Sequence, residues 1–304
     1  MESTVQQRVT FGEIVRAYSE LMKLYIVTLL VFTTVTAMVV AAKGIPSINL
    51  LIPTIIGGIL AAGGASAMNQ YIDRDMDATM TRTSRRPIPS GRVAPVNALI
   101  FGIALIVWAV LILGVFVNWL TAGLALIGAV YYVVLYTIIL KRNTVTNIVI
   151  GGGAGAVPVL VGWAAVTGSL SLEAFILFAI VFYWTPPHSW ALAILVGKDY
   201  AAAHVPMMPV ARGEQATRIQ ILLYSIQLVL ITLLPGVSLF FPQVTMLGGF
   251  YLVSALVLGI GMIYMAIQLI RVASKPMARN VYKYSSMYLA MLFLAMIIDR
   301  LIVR

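Results

Sequence analysis

The sequence predicts an all-α fold: a polytopic membrane bundle of nine transmembrane helices. Three observations carry this reading. Of the 304 residues, 61% are hydrophobic and only 10% charged. The mean hydropathy is +1.00, far above that of soluble domains. Leu, Ala, Ile and Val fill unbroken runs without the alternation that marks barrel strands.

Each span is an apolar run long enough to cross about 30 Å of hydrocarbon. The first, Leu24–Ala42, exceeds the core of a cleavable signal and follows Arg16, Glu20 and Lys23, so it is expected to be retained. The second is Leu50–Met68; the third and fourth, Val96–Val117 and Trp119–Leu140, are almost contiguous. Thr144–Thr167 and Leu172–Val196 follow, then Ile219–Phe241, Val244–Ile270 and Tyr282–Val303. One intramembrane domain over residues 1–304 is expected, with 1–23 as a cytoplasmic N-terminal segment.

All but three of the 20 Lys and Arg residues fall on one side of this layout, the exceptions being Lys43, Arg300 and Arg304. Arg8 belongs to the majority. Positive loops stay inside, so the amino terminus is predicted cytoplasmic and the carboxyl terminus outside, in the plasma membrane. The net charge of +10 then reads as a topology signal and an attraction to the anionic lipid bilayer. Nucleic-acid binding is excluded, because no basic segment forms a soluble module interleaved with aromatics. The absence of cysteine excludes disulfides, thiolate catalysis and cysteine-held metals.

Two inside segments, about Asp73–Pro95 and Lys198–Thr217, are long, polar and proline-bearing. Function concentrates on such loops. If the second span continues as helix through Asp77, then Asn69, Asp73 and Asp77 lie at i, i+4 and i+8 and stack on one face, with Asp75 pointing away. Stacked carboxylates repel unless a cation sits between them. Hard oxygen ligands suit magnesium, which takes one or two carboxylates plus phosphate oxygens. Arg82, Arg85 and Arg86 would supply planar guanidinium forks to that phosphate.

The second cluster is "FYWTPPHSWALAILVGKDY" at 182–200. Paired Pro186 and Pro187 are expected to break the helix and open a cavity. Tyr183, Trp184, Trp190 and His188 surround the break. An ionisable side chain at membrane depth is a functional candidate, whereas His204, in the loop, is expected to be solvated. The glycine runs at 57–67 and 151–162 carry no lysine–serine ending and follow no strand, so they are expected to let helices approach closely.

Together, "NQYIDRDMD…RTSRRPIPSGR" and "YWTPPHSWALAI…KDYAAAHVPMMPV" resemble the signature segments of the UbiA-type intramembrane prenyltransferases, the second segment being more specific to the branch that acts on heme. The resemblance covers most of the chain. It implies transfer of a farnesyl group from farnesyl diphosphate to a vinyl carbon of heme B, with water added, giving heme O for terminal oxidases. It also implies magnesium (Mg2+) at Asn69, Asp73 and Asp77, with Asp199 as the single carboxylate of a second motif whose next position is Ala203. Arg82, Arg86, Lys198 and Arg212 are then expected at diphosphate or heme propionates. Tyr183, Trp184, Tyr200 and His188 are expected to contact substrate, and a heme A synthase or terminal oxidase assembly would be a partner.

The residues themselves support such chemistry, since an allylic carbocation and a leaving diphosphate call for metal, arginine and aromatic faces. Two readings stay open beside it. One is a prenyltransferase acting on an aromatic quinone precursor. The other is a transporter, although its ionisable groups would spread along a pathway instead of gathering on one face.

Overall fold

The computed structural model describes residues 10–239 and 246–303. Arg8 and Arg304 of the charge asymmetry, and the span ends Phe241 and Val244, lie outside the described residues. Among the described residues, nine helices are long and apolar enough to cross a membrane, and no strand occurs. The protein is a multi-pass membrane protein.

A short amphipathic helix, α1 (Phe11–Met22), precedes the first span. Thr10 opens it with a capping box: its hydroxyl accepts from the Glu13 N–H at 3.3 Å, while the Glu13 carboxylate accepts from the Thr10 N–H at 2.8 Å. Lys23 then adopts a left-handed conformation, φ 51°, and turns the chain directly into α2 (Leu24–Ala42). The end of α1 is tied down by α3 (Ile48–Ile72). Ser66 Oγ and Gln70 Nε2 donate to the Leu21 carbonyl at 2.8 and 3.0 Å, satisfying a terminal acceptor that the helix itself leaves open. This anchor holds Lys23 against α3.

The polar segment after α3 contains α4 (Arg74–Thr79) and a run of turns leading to α5 (Pro95–Phe116). The fourth span starts as α6 (Trp119–Val130) and continues as a π-helix, Tyr131–Leu140. The fifth and sixth are α7 (Asn147–Thr167) and α8 (Leu172–Leu195). Short helices α9 (Gly197–Ala202) and α10 (Met208–Ala211) lead to α11 (Gly213–Leu233), and α12 (Gly249–Val272) and α13 (Lys275–Ile298) complete the bundle.

Helix α7 is the central column, with 72% of its apolar window buried, and packs against α2, α6 and α8. Gly162 explains how. A Cβ there would lie 2.2 Å from the Thr34 carbonyl oxygen of α2. The glycine runs thus serve close helix approach, as Gly64 and Gly102 do between α3 and α5.

Three local expectations change. First, α8 runs unbroken through Pro186 and Pro187, both buried. Proline's fixed φ is already helical, and the two missing N–H groups cost only the bonds to the Phe182 and Tyr183 carbonyls, while the ladder holds on either side. Second, the second polar loop ends at Arg212, because α11 begins at Gly213, with Glu214 pairing with Arg218 one turn later. Third, α13 begins at Lys275, so Arg279 and Lys283 stand on a helix. Ser274 caps it, accepting from the Met277 N–H at 3.3 Å. In the last two cases charged turns extend the helix beyond its apolar stretch, where charge carries no hydrocarbon penalty.

Candidate functional site

The polar loops meet at one end of the bundle, around the junction of α3 and α4. The helical path is nearly continuous there: the Asp73 N–H bonds to the Asn69 carbonyl at 2.9 Å and the Asp77 N–H to the Asp73 carbonyl at 2.7 Å. All three side chains are buried, whereas Asp75 is largely exposed and binds Arg142 at 2.8 Å. The Arg142 hydrogen bond holds the Asp75 carboxyl down at about 2.

Each member of the ladder meets a cation. Asn69 Nδ2 donates to Asp73 Oδ2 at 2.7 Å and to Thr137 Oγ1 at 3.1 Å, while Asn69 Oδ1 accepts from Lys23 Nζ at 2.9 Å. Asp73 Oδ2 is ion-paired with Lys141. Arg86 Nη1 donates to both oxygens of Asp77, at 2.8 and 2.7 Å. Asp73 Oδ1 is buried and has no hydrogen-bond donor, and Arg142 Nη2 stands 3.7 Å from it. Among the described residues no three acid or histidine side chains converge as a metal-holding group.

These groups wall a cavity of about 120 Å³. Lys23, Arg82, Arg86 and Lys141 line it with Asn69 and Asp77, and Met80, Tyr132, Tyr136 and Tyr200 form its remaining sides. Four cations in the lining, against Asp77 there and Asp73 paired with Lys141 behind it, leave an excess of positive charge in a confined space. Burial pushes the Lys23 ammonium down to about 7, with repulsion from Arg86 and Lys141 adding to it. Burial also lowers Lys141, against the pull of Asp73. Burial raises the Tyr200 hydroxyl. A cluster of cations that their own surroundings disfavour is a receptor for an anion, whose entry relieves the repulsion.

Several of these residues carry no signal in the sequence beyond charge. Lys23 is placed by the left-handed turn and Lys141 by the π-helix. There the Lys141 N–H bonds to the Tyr136 carbonyl five residues back, and Thr137 Oγ1 to the Tyr132 carbonyl. The wider turn puts Tyr132, Tyr136 and Lys141 on one face, a use of π-helix common at functional sites.

The other candidates lie apart from the ladder. Asp199 is on the rim, its Oδ2 accepting from the Arg82 N–H at 3.3 Å, and is not grouped with Asp73 and Asp77. Lys198 is exposed, as is Arg85, and neither lines the cavity. Arg212 borders a different cavity, between α7, α8, α10 and α11. Tyr183 is half-buried beside Tyr224, with ring centres 6.0 Å apart. Trp184 gives its indole N–H to the Ser285 carbonyl at 2.7 Å.

His188 is sandwiched between Trp184 and Tyr282, at centroid distances of 4.4 and 4.5 Å, with Nδ1 2.9 Å from Ser285 Oγ. The Ser285 hydroxyl spends its one proton on the Tyr282 carbonyl at 2.8 Å. Nδ1 is then the donor to Ser285 Oγ, and Nε2 is the ring nitrogen left without a partner among the described residues.

Fold and site together define a multi-pass helical membrane protein with a basic, aspartate-lined pocket at one mouth of the bundle. The chain belongs to the UbiA prenyltransferase family, whose profile matches residues 30–295. It is 51% identical over 289 residues to a protoheme IX farnesyltransferase of Roseiflexus sp. (strain RS-1), covering 95% of this chain and 53% of that protein. It is 48% identical over 301 residues to the one from Symbiobacterium thermophilum, covering 98% of this chain and 99% of that protein. The chain thus spans about half the length of the Roseiflexus relative and nearly all of the Symbiobacterium one. In fold it is similar to a structure from work on digeranylgeranylglyceryl phosphate synthase, with a TM-score of 0.77 at 18% identity over 95% of this chain and 99% of that one. It is also similar to a UbiA homolog from Archaeoglobus fulgidus bound to DMAPP and Mg2+, with a TM-score of 0.62 at 13% identity over 92% and 98%.

Proposed function

We propose that the protein transfers the farnesyl group of farnesyl diphosphate to a vinyl carbon of heme B, with addition of water, giving heme O and diphosphate. The observation that carries this reading is the excess of cations lining the cavity around the Asn69–Asp73–Asp77 ladder. The names of the relatives and the ligands of the Archaeoglobus homolog agree with it.

The oxygens at the ladder fit a small hard cation: two buried carboxylates, one with an orphaned oxygen, and a side-chain amide. Asn69, Asp73 and Asp77 would hold magnesium, with Asp199 contributing only from the rim. Bound there, it would neutralise charge on the leaving diphosphate.

The remaining steps belong to the chain's own side chains. Lys23, Arg82, Arg86 and Lys141 bind the diphosphate oxygens and stabilise the charge that grows as the allylic C–O bond breaks. Tyr132, Tyr136 and Tyr200, in the lining of the cavity, supply aromatic surface that stabilises the carbocation and excludes water from it. The vinyl π-electrons attack the farnesyl carbon. The cation left on the porphyrin side takes up water, loses a proton and keeps the hydroxyl.

We assign His188 to the heme, as a ligand presenting Nε2 to iron. His188→Ala should alter the visible spectrum of bound heme and weaken heme affinity. Normal heme binding with slow turnover would show a base role instead, and an unchanged spectrum, affinity and turnover would reduce His188 to a packing residue.

The distribution of lysine and arginine supports placing the polar mouth in the cytoplasm, with the amino terminus inside and the carboxyl terminus outside the plasma membrane. A heme A synthase or terminal oxidase assembly would consume the product. The test of function is incubation with heme B, farnesyl diphosphate and magnesium, followed by mass analysis of the heme. A heme heavier by one farnesyl group and one hydroxyl supports the proposal. Unchanged heme alongside a prenylated aromatic acid, when a quinone precursor is supplied, overturns it.

A further inference from the structure

The second cavity, of about 270 Å³, opens between α7, α8, α10 and α11. It adjoins the side-chain cluster that contains Met80 and Tyr200 of the basic mouth, since Trp190 belongs both to that cluster and to the cavity lining. Its character differs from that of the mouth: it has no carboxylate in its lining, one arginine, and walls of Val149, Met208, Trp190 and Tyr224.

Two of its polar groups lack partners. Trp190 is 2% exposed, packs edge-on to Tyr224 with centroids 5.3 Å apart, and gives its indole N–H to no acceptor. Six residues earlier on the same helix, Trp184 is satisfied by the Ser285 carbonyl; the other unpartnered buried indole, Trp163 on α7, lies outside the lining of this cavity. A buried donor without an acceptor is costly and uncommon in a native fold. Arg212 is exposed at the edge of the cavity, and its guanidinium forms no hydrogen bond or ion pair with the described residues, which leaves its charge free for a ligand. Gln220 adds an amide to the same lining.

A cation and an indole donor without acceptors, set among aromatic and aliphatic walls, match a carboxylate carried on a flat apolar body. We infer that this cavity docks the acid edge of the acceptor, a planar porphyrin dicarboxylate, on a side of the cluster away from the diphosphate pocket. At about 270 Å³ it is just smaller than a site for a whole ligand, sized for one carboxylate-bearing edge. The inference rests on the acceptor proposed above. Separate docking of the two substrates would let the acceptor bind without competing for the cations of the mouth.

The test is a titration of the full-length protein, in phosphatidylcholine nanodiscs, with heme B and with its dimethyl ester, read by quenching and by the heme spectrum. Wild type should bind the diacid roughly tenfold or more tighter than the ester. Arg212→Gln should lose most of that preference while keeping the wild-type KM for farnesyl diphosphate, and Trp190→Phe, which keeps a ring but removes the N–H, should lose part of it. Equal affinity of wild type for diacid and ester overturns the inference, as does an unaltered preference in Arg212→Gln. In a parallel arm, with nanodiscs that contain phosphatidylglycerol, loss of phosphatidylglycerol retention by Arg212→Gln with heme binding intact would also overturn it and mark a lipid site. Because these readouts need no turnover, they stand apart from the mass assay: a failure to form farnesylated heme defeats the proposed reaction, and only the titration decides the docking site.

Discussion

Asp73→Asn should reduce turnover by roughly 10²–10³-fold or more, the scale seen when one charge-stabilising group is removed from an active site, while the bundle stays folded. Asp73 is fully buried, holds Asn69 Nδ2 and Lys141, and keeps one oxygen without a donor. Asparagine preserves the shape but removes the charge that would hold a metal ion. Asp75→Asn is the matched control. Its carboxylate is 65% exposed and its partner Arg142 lies outside the cavity lining, so near wild-type turnover is expected. Comparable losses in both variants at equal expression would defeat the argument from the helical face.

Lys141→Met carries the second large effect, and on two axes. Methionine fills similar space but strips Asp73 of its buried counter-ion. Breaking one side of a buried pair costs about 3–5 kcal/mol, because a carboxylate is left uncompensated or must take up a proton. Thermal unfolding should therefore fall by several degrees, and turnover should fall with it. The double variant Asp73→Asn/Lys141→Met separates the axes. With both charges gone, stability should recover toward wild type while activity stays lost. Recovery of activity along with stability would show that the pair serves packing alone.

The spacing of Asn69, Asp73 and Asp77 made half of the pocket legible before any coordinates, because helical periodicity converts sequence intervals into faces. Asp75 separated from the others for the same reason. The other half was hidden by backbone geometry that carries no periodic signature. Lys23 depends on a left-handed turn at a non-glycine residue, and Lys141, Tyr132 and Tyr136 depend on a π-helix that shifts the register of the fourth span. Counted as charges, both lysines read only as topology. Pro186 and Pro187 misled in the opposite direction, since proline's φ suits a helix and the bonds around the pair carry the ladder across. Lys198 and Arg212 were grouped with the diphosphate or the heme propionates by proximity in sequence; in the fold Lys198 is exposed and Arg212 borders the second cavity.

Calorimetric titration of inorganic diphosphate into the purified protein, with and without magnesium, tests most directly whether the mouth is a metal-assisted diphosphate pocket. The account predicts binding that magnesium strengthens in wild type, that loses this enhancement in Asp73→Asn, and that is weakened in Arg86→Gln. Binding of equal strength without magnesium, unaffected by either substitution, would contradict it.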